Sequence, residues 1–294
     1  MSPGSPSRRG TVAGPRLGVF RIVSCLLAFL ILLPLAAAEI RIASYNLENY
    51  FLSAGEHRRK PKAEPAIHAL VRMVAAADAD VLMVCEVGGA EALADFAARL
   101  RAAGHPYPYS EYFAHGESPI GLGMLSRIRP AAVHPRGDLA YSIRPKVAFL
   151  PLETVPVQRG FLHAVFEVDG YRLHVVMAHL KSRVFHPRYN QTDMRRYEAR
   201  LLRHYADETL RAEPEANLLV IGDLNDTADS DPLTILRAAP HPPEQRLYDL
   251  RPADPMGLFW THWWHQQDIY GASNKVDWKP RSDELMSFEE AKFK

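Results

Sequence analysis

The sequence predicts a mixed α/β sandwich, on three observations. Short apolar runs suited to strands alternate with stretches of helical periodicity, and one pair of runs is joined by the two-residue hairpin turn Asp169-Gly170. No internal repeat, heptad pattern or long low-complexity linker divides the chain after its first 38 residues. An antiparallel pair excludes a purely parallel doubly wound sheet, so the strands form mixed sheets with helices against them. A chain of 294 residues that is 47% hydrophobic and 23% charged is expected to fold around a sizeable core.

Residues 1–38 stand apart. Arg8, Arg9, Arg16 and Arg21 precede an apolar run from Ile22 to Leu35, followed by Ala36-Ala37-Ala38. That order of charged, apolar and small residues is a secretory signal. Cleavage after Ala38 leaves 256 of the 294 residues and places the protein outside the cell or in the periplasm. The alternative is an uncleaved anchor, for which the run is shorter than the roughly 20 residues that cross a bilayer. No other segment is expected to span a membrane.

Losing four arginines and no acids takes the formal charge from +1 to −3, so the strong basic footprint of a nucleic-acid binder is not expected. Cys25 leaves with the leader, and Cys85 remains without a disulfide partner. Because it closes the apolar run "VLMVC", Cys85 reads as a buried inert thiol.

Along the body, "EIRIASYNL" alternates apolar and polar residues and then turns polar, a strand ending near Asn46. Ala66 to Ala77 carries helix formers at helical spacing. "DVLMVCE" is a buried strand, and "AEALADFAARLRAAG" a helix with Gly104 at its C-terminal cap. "FLHAVFEV" and "YRLHVVMAHL" flank the Asp169-Gly170 turn, Asp193 to Ala212 is a charged amphipathic helix, and "NLLVIGD" is a last buried strand.

Four polar clusters fall where these apolar strands stop: Asn46 in "SYNLEN", Glu86 in "CEVGG", His179 in "AHLKSR", and Asp223 with Asn225 in "GDLND". Strand ends are where a rigid sheet holds side chains around a shared crevice. Glu86 is a hard oxygen ligand suited to Mg²⁺ or Ca²⁺, and Asn46 suits a metal's waters or a phosphate oxygen. Asp223 can take a proton from an attacking water, while Asn225 and His179 can donate hydrogen bonds as negative charge builds. Metal-assisted phosphoester hydrolysis uses all of these roles. Singly, each residue has a plainer use: Asp and Asn form turns, Glu86 caps the next helix, and His179 is a satisfied core histidine.

In order from about Arg41 to Trp264, these motifs resemble the endonuclease/exonuclease/phosphatase superfamily, with its deoxyribonuclease-I-like fold. "SYNLENYF" and "DVLMVCEVGG" resemble its first two motifs, "GLGMLSR" a middle strand, and "AHLKSR" and "GDLND" the later ones. The resemblance implies a four-layer α-β-β-α sandwich of two mixed sheets with outer helices, spanning residues 39–270. It implies that Asn46 and Glu86 lie on the metal side, with Mg²⁺ (or Mn²⁺ or Ca²⁺) as cofactor. His179 becomes a ligand of the scissile phosphate, Asp223 the water-activating or transition-state carboxylate and Asn225 its partner in orienting the phosphate. Lys181 either adds positive charge for the substrate or is a solvated lysine.

The last segment departs from the pattern. Family members continue to a strand bearing an Asp before an aromatic residue, and then to Ser-Asp-His. Here residues 271–294 form a divergent tail in which Asp277 of "KVDW" is a candidate for the first acid, while "RSDE" has Glu284 where the histidine belongs and is too close to be the second motif. The expected function is a secreted or periplasmic divalent-metal phosphodiester hydrolase, monomeric, acting on nucleic acid, a phospholipid head group or a smaller phosphoester. The alternative is a silent relative that binds a phosphate ligand or protein partner without hydrolysis. His262 and His265 among Trp260, Trp263 and Trp264 read as an alternating aromatic strand, and the basic stretch His57 to Lys62 as a solvated loop before a helix.

Overall fold

A computed structural model describes Met1 and residues 39–54, 59–116, 118–147, 149–238 and 246–250. Residues 2–38, which hold the expected secretory signal, His57 and Arg58, the aromatic run from Trp260 to His265, Asp277 and the "RSDE" segment lie outside the described residues. Contacts divide the chain into Met1–Glu39 and Ile40–Lys294, and every described element belongs to the second unit.

Strand β1 spans Ile42–Tyr50, helix α1 Glu64–Ala77, β2 Val81–Val87, α2 Ala90–Ala102, β3 Tyr109–Phe113 and β4 Gly121–Ser126. Then come β5 at Pro130–Arg136, β6 at Ala140–Ile143, β7 at Glu153–Pro156, β8 at Phe161–Val168 and β9 at Tyr171–His179. Helix α3 at Gln191–Ala212, β10 at Asn217–Asp223 and the short α4 at Asp231–Arg237 complete the described elements. One sheet runs β1-β2-β4-β3 and another β10-β9-β8-β5; β6 and β7 form a separate pair. Both large sheets are mixed, because β1 is parallel to β2 and β10 to β9 while the remaining neighbours are antiparallel.

Alternation along the strands builds the layers. Val81, Met83 and Cys85 of β2 face Leu162, Ala164 and Phe166 of β8 and Val175 and Met177 of β9, forming the core between the sheets. Leu82 and Val84 point the other way, onto Ile67, Leu70, Phe96 and Leu100 of α1 and α2. On the far side, Val176 and Ala178 meet Met194, Leu202 and Tyr205 of α3. The result is helix, sheet, sheet, helix, as the resemblance implied. No helix among the described residues is long and apolar enough to cross a membrane.

Local chemistry sets the element ends. Asp169 and Gly170, with φ of 50° and 80°, make the tight turn joining β8 to β9. Gly104, at φ 89°, follows α2 where a left-handed residue ends the helix. Helix α3 starts earlier than the expected Asp193, because Asn190 Oδ1 accepts the backbone N–H groups of Thr192 (2.9 Å) and Asp193 (3.3 Å). Helix α1 likewise begins at Glu64 with a proline in its first turn.

Beneath α3, two buried histidines cross-link the outer layer. His163 Nδ1 lies 2.7 Å from Tyr205 Oη, His163 Nε2 lies 3.1 Å from His174 Nδ1, and His174 Nε2 lies 3.3 Å from Glu213 Oε2. Burial, and then the neighbouring His174 and His134, push the His163 ring down to about 4. A folded value below the unfolded one means that this stability is complete above the unfolded value and is lost as pH falls toward the folded one. Between about pH 7.5 and pH 4 the loss amounts to roughly 3 kcal/mol. Urea midpoints measured across that range should fall steeply, and the fall should shrink in His163→Gln; equal slopes in both proteins would remove His163 as the cause.

Candidate active site

The inter-sheet faces of the strands lead directly to the site. On β9 the apolar stripe Leu173, Val175, Met177 continues by alternation to His179, and on β10 Ile221 continues to Asp223. On β1, Ala43 and Tyr45 face the helices, which leaves Asn46 on the inter-sheet side with Ile42. Parallel register pairs Asp223 with His179 in one sheet and Asn46 with Cys85 in the other. Two rungs therefore face each other across the sandwich, and Asn46 Nδ2 closes the gap by donating to Asp223 Oδ2 at 2.9 Å.

Glu86 arrives by a different route. Continued alternation would point it at the helices, after Leu82 and Val84. Instead the register slips between Cys85 and Val87, Glu86 takes φ 60°, and Val87 fills the helix-side core in its place. The freed carboxylate accepts Asn46 Nδ2 on Oε1 (3.1 Å) and the Asn49 backbone N–H on Oε2 (3.0 Å). Glu48 and Asn49, in the matching irregularity of β1, also have positive φ, as does Asn225. Each such residue costs on the order of 1–3 kcal/mol, and strain of this kind gathers where function holds the backbone.

The plainer uses can now be decided. Helix α2 is entered through Gly89 without a side-chain cap, so Glu86 does not cap it. His179 is 3% exposed, its Nδ1 has no hydrogen-bond partner among the described residues, and its Nε2 lies 3.9 Å from Glu86 Oε1. Among the described residues it is not a satisfied core histidine. Burial first, then the nearby Arg159 and Lys181, push its pKa well below the ordinary value, so it is a neutral ring with one N–H to donate. Asp223 does form a turn, through Oδ1 and the Asn225 N–H at 2.9 Å, but its other oxygen belongs to the site. Asn225 spends one amide hydrogen on the Leu180 carbonyl at 2.9 Å and, among the described residues, keeps the second.

Lys181 is not solvated. It is 5% exposed, and its Nζ donates to Ser182 O (3.2 Å), Ser182 Oγ (3.1 Å) and Val184 O (3.3 Å), which matches the three hydrogens of an ammonium. Burial, and then Arg159, pull its pKa down to about 8. Its contribution to the site is positive charge near His179 rather than a free donor.

Several residues of the site are not among the sequence-based candidates. Arg159 Nη1 donates to the carbonyls of His179 (3.5 Å) and Leu180 (3.1 Å), and Glu198 of α3 accepts the Lys181 backbone N–H at 2.6 Å. Together they fix the turn that carries His179. Desolvation pulls the Arg159 pKa down, while Glu198, Glu86, Cys85 and Asp223 oppose that shift and hold it charged. Asp226 of the same "GDLND" loop accepts Arg195 Nε at 2.9 Å and also pairs with Arg183. Burial would raise its carboxyl, but those two arginines hold it below the usual range.

Gly222 explains why the loop opens as it does. At φ 130° it runs so close to β9 that a Cβ there would lie 2.0 Å from the Ala178 carbonyl oxygen. Gly222→Ala is expected to cost about 3 kcal/mol or more, read as a lower melting temperature, and to reduce activity by moving Asp223 away from His179. A thermal midpoint equal to the wild type would contradict this close approach.

The donor set fits a hard divalent cation. Two carboxylates, Glu86 and Asp223, converge on a single amide nitrogen, and oxygen ligands of this kind suit Mg²⁺, Mn²⁺ or Ca²⁺. Cys85, His179 and Asp223 also place potential ligand atoms within 4.8 Å of one another. Burial, with Asp223 and Glu86 beside it, pushes the Cys85 thiol well up, so it stays protonated and is a poor ligand, in keeping with the inert reading.

The chain is similar in structure to sphingomyelinase C from Streptomyces griseocarneus, at 20% identity over 70% of this chain and 72% of that one, with a TM-score of 0.47. It is similar to a β-hairpin deletion mutant of beta toxin from Staphylococcus aureus, at 14% identity over 68% and 73% of the two chains, with a TM-score of 0.45. It is also similar to the human Nocturnin catalytic domain with bound sulfate, at 14% identity over 66% and 68%, with a TM-score of 0.44. A comparison with curated proteins gives no match. The Endonuclease/Exonuclease/phosphatase family profile matches residues 43–275, a span containing every described residue of the site. The chain therefore belongs to the endonuclease/exonuclease/phosphatase family, whose members hydrolyse phosphoester bonds.

Proposed function

We propose that this protein is an exported, divalent-metal-dependent phosphodiester hydrolase. The observation that carries the reading is the meeting of Asn46, Glu86, His179 and Asp223, from four strands of two sheets, around one amide-bridged pair of carboxylates. Glu86 and Asn46, with Asp223 beside them, would hold the cation. A bound divalent ion supplies Lewis-acid polarisation of the phosphoryl group and neutralises developing charge.

The chain's own groups do the rest. Asp223, fixed by Asn46 and by the Asn225 N–H, accepts the proton of a water aimed at phosphorus. Neutral His179 and the second amide hydrogen of Asn225 donate to the phosphate's non-bridging oxygens, where charge increases toward the transition state. The ammonium of Lys181 and the guanidinium of Arg159 add positive potential behind them without moving.

The reading is tested by following hydrolysis of bis(p-nitrophenyl) phosphate, p-nitrophenyl phosphate and plasmid DNA with Mg²⁺ or Mn²⁺, and again with EDTA. Metal-dependent cleavage of a diester is the expected result. A folded protein that turns over none of the three with either metal would instead support a relative that binds phosphate without cutting it.

A further inference from the structure

We propose that two joined loops beside the site form a docking face for an anionic lipid surface, which makes a phospholipid head group the natural phosphodiester. The substrate half of this proposal rests on the hydrolase reading above; the docking half does not.

Five of the ten large apolar side chains exposed among the described residues fall on these two loops. Phe149 is 97% exposed, and Val147, Leu152, Val184 and Phe185 are each more than half exposed. The two segments are one structure. The Lys146 backbone N–H donates to the Arg188 carbonyl and its Nζ to the His186 carbonyl, both at 2.8 Å. That same Nζ sits 3.9 Å above the Phe185 ring, and Arg188 Nε donates to Glu153 at 2.7 Å. Exposed apolar groups held this firmly are not a frayed loop, and a soluble surface has no use for them.

The charge of the face selects the partner. Arg144, Lys146, Arg183 and Arg188 stand in these segments against one acid, Glu153, although the chain without its leader is net negative. Aromatic and aliphatic tips among cations match a bilayer of anionic lipid, whose acyl boundary takes the apolar tips while its phosphates take the cations. Nucleic acid is disfavoured because Val147, Leu152 and Val184 have neither a base to stack on nor a phosphate to pair with. The face also leads to the site: Val184 accepts Lys181 Nζ at 3.3 Å, Arg183 pairs with Asp226, and Lys181 is two residues from His179. A head group at the bilayer surface would therefore be presented at the strand ends.

The test is sedimentation with vesicles of phosphatidylcholine alone and of phosphatidylcholine with about 30% phosphatidylserine, using the chain from Glu39 onward, which keeps every described element. A Phe149→Ser/Phe185→Ser pair and Lys146→Glu are measured beside the wild type, with bis(p-nitrophenyl) phosphate turnover as an independent report on the site. The expected result is binding to the anionic vesicles that falls at least ~10-fold in both variants, with turnover of the soluble diester unchanged. Equal sedimentation of wild type and variants, no binding to anionic vesicles, or a variant-sensitive affinity for plasmid DNA in its place would overturn the docking face. Loss of turnover in the wild type with vesicle binding intact would overturn the hydrolase reading alone.

Discussion

Asp223→Asn is expected to lose about a thousandfold in kcat/KM toward bis(p-nitrophenyl) phosphate while its melting temperature stays near the wild-type value. The amide keeps the shape of the carboxylate and can still accept the Asn225 N–H, so the turn of "GDLND" survives. What disappears is one of two carboxylates around Asn46 and, in the proposed function, the base for the attacking water. Because His179 occupies the paired rung, His179→Ala falls by a similar factor, and the double variant is little slower than either single one, since members of one catalytic unit do not contribute additively. Additive losses would show that the two residues act separately, and steady-state kinetics on the three variants decides the point.

Glu198→Ala has the largest expected effect on stability. Glu198 is 1% exposed inside the interface of α3 with β9, where it accepts the Lys181 backbone N–H and is the leading favourable charge for Arg159. Removing it leaves a buried N–H without an acceptor and a poorly solvated guanidinium without its counter-charge. Breaking a buried pair in this way costs about 3–5 kcal/mol. Glu198→Gln restores an acceptor without restoring charge, so its loss is smaller. Urea denaturation of the two variants separates these contributions. If Glu198→Ala unfolds at the wild-type midpoint, the charged cluster behind His179 does not stabilise the fold.

The strand-end residues were legible because each closes an apolar stripe. A polar side chain two positions beyond Met177 or Ile221 remains on the inter-sheet face, so spacing alone places His179 and Asp223 at its rim. Asn46 follows the same rule. Glu86 does not: period two points it at the helices, and only the slip at φ 60° brings it round, a conformation that residue types outside glycine do not announce.

The strands β5, β6 and β7 left no comparable trace. Pro130 and Pro135 make "PAAVHPR" look unlike a strand, yet β5 borders its sheet among the described residues, where missing N–H groups are tolerated. Arg159 lies in a connection with no periodicity to betray it. Glu198 was readable in principle, because Met194 and Leu202, four residues to either side, are buried and mark its position as inward-facing. The abundance of exposed charge on the same helix hid it.

The most direct test of a metal-dependent site at the strand ends is turnover of bis(p-nitrophenyl) phosphate as Mg²⁺ is added back to EDTA-stripped protein, for the wild type beside Glu86→Gln. Wild-type turnover should rise saturably from nothing, and Glu86→Gln should remain at least ~100-fold lower at the same Mg²⁺. Turnover that persists in EDTA, or that is equal in the two proteins, would contradict a cation held by Glu86 as the centre of the site.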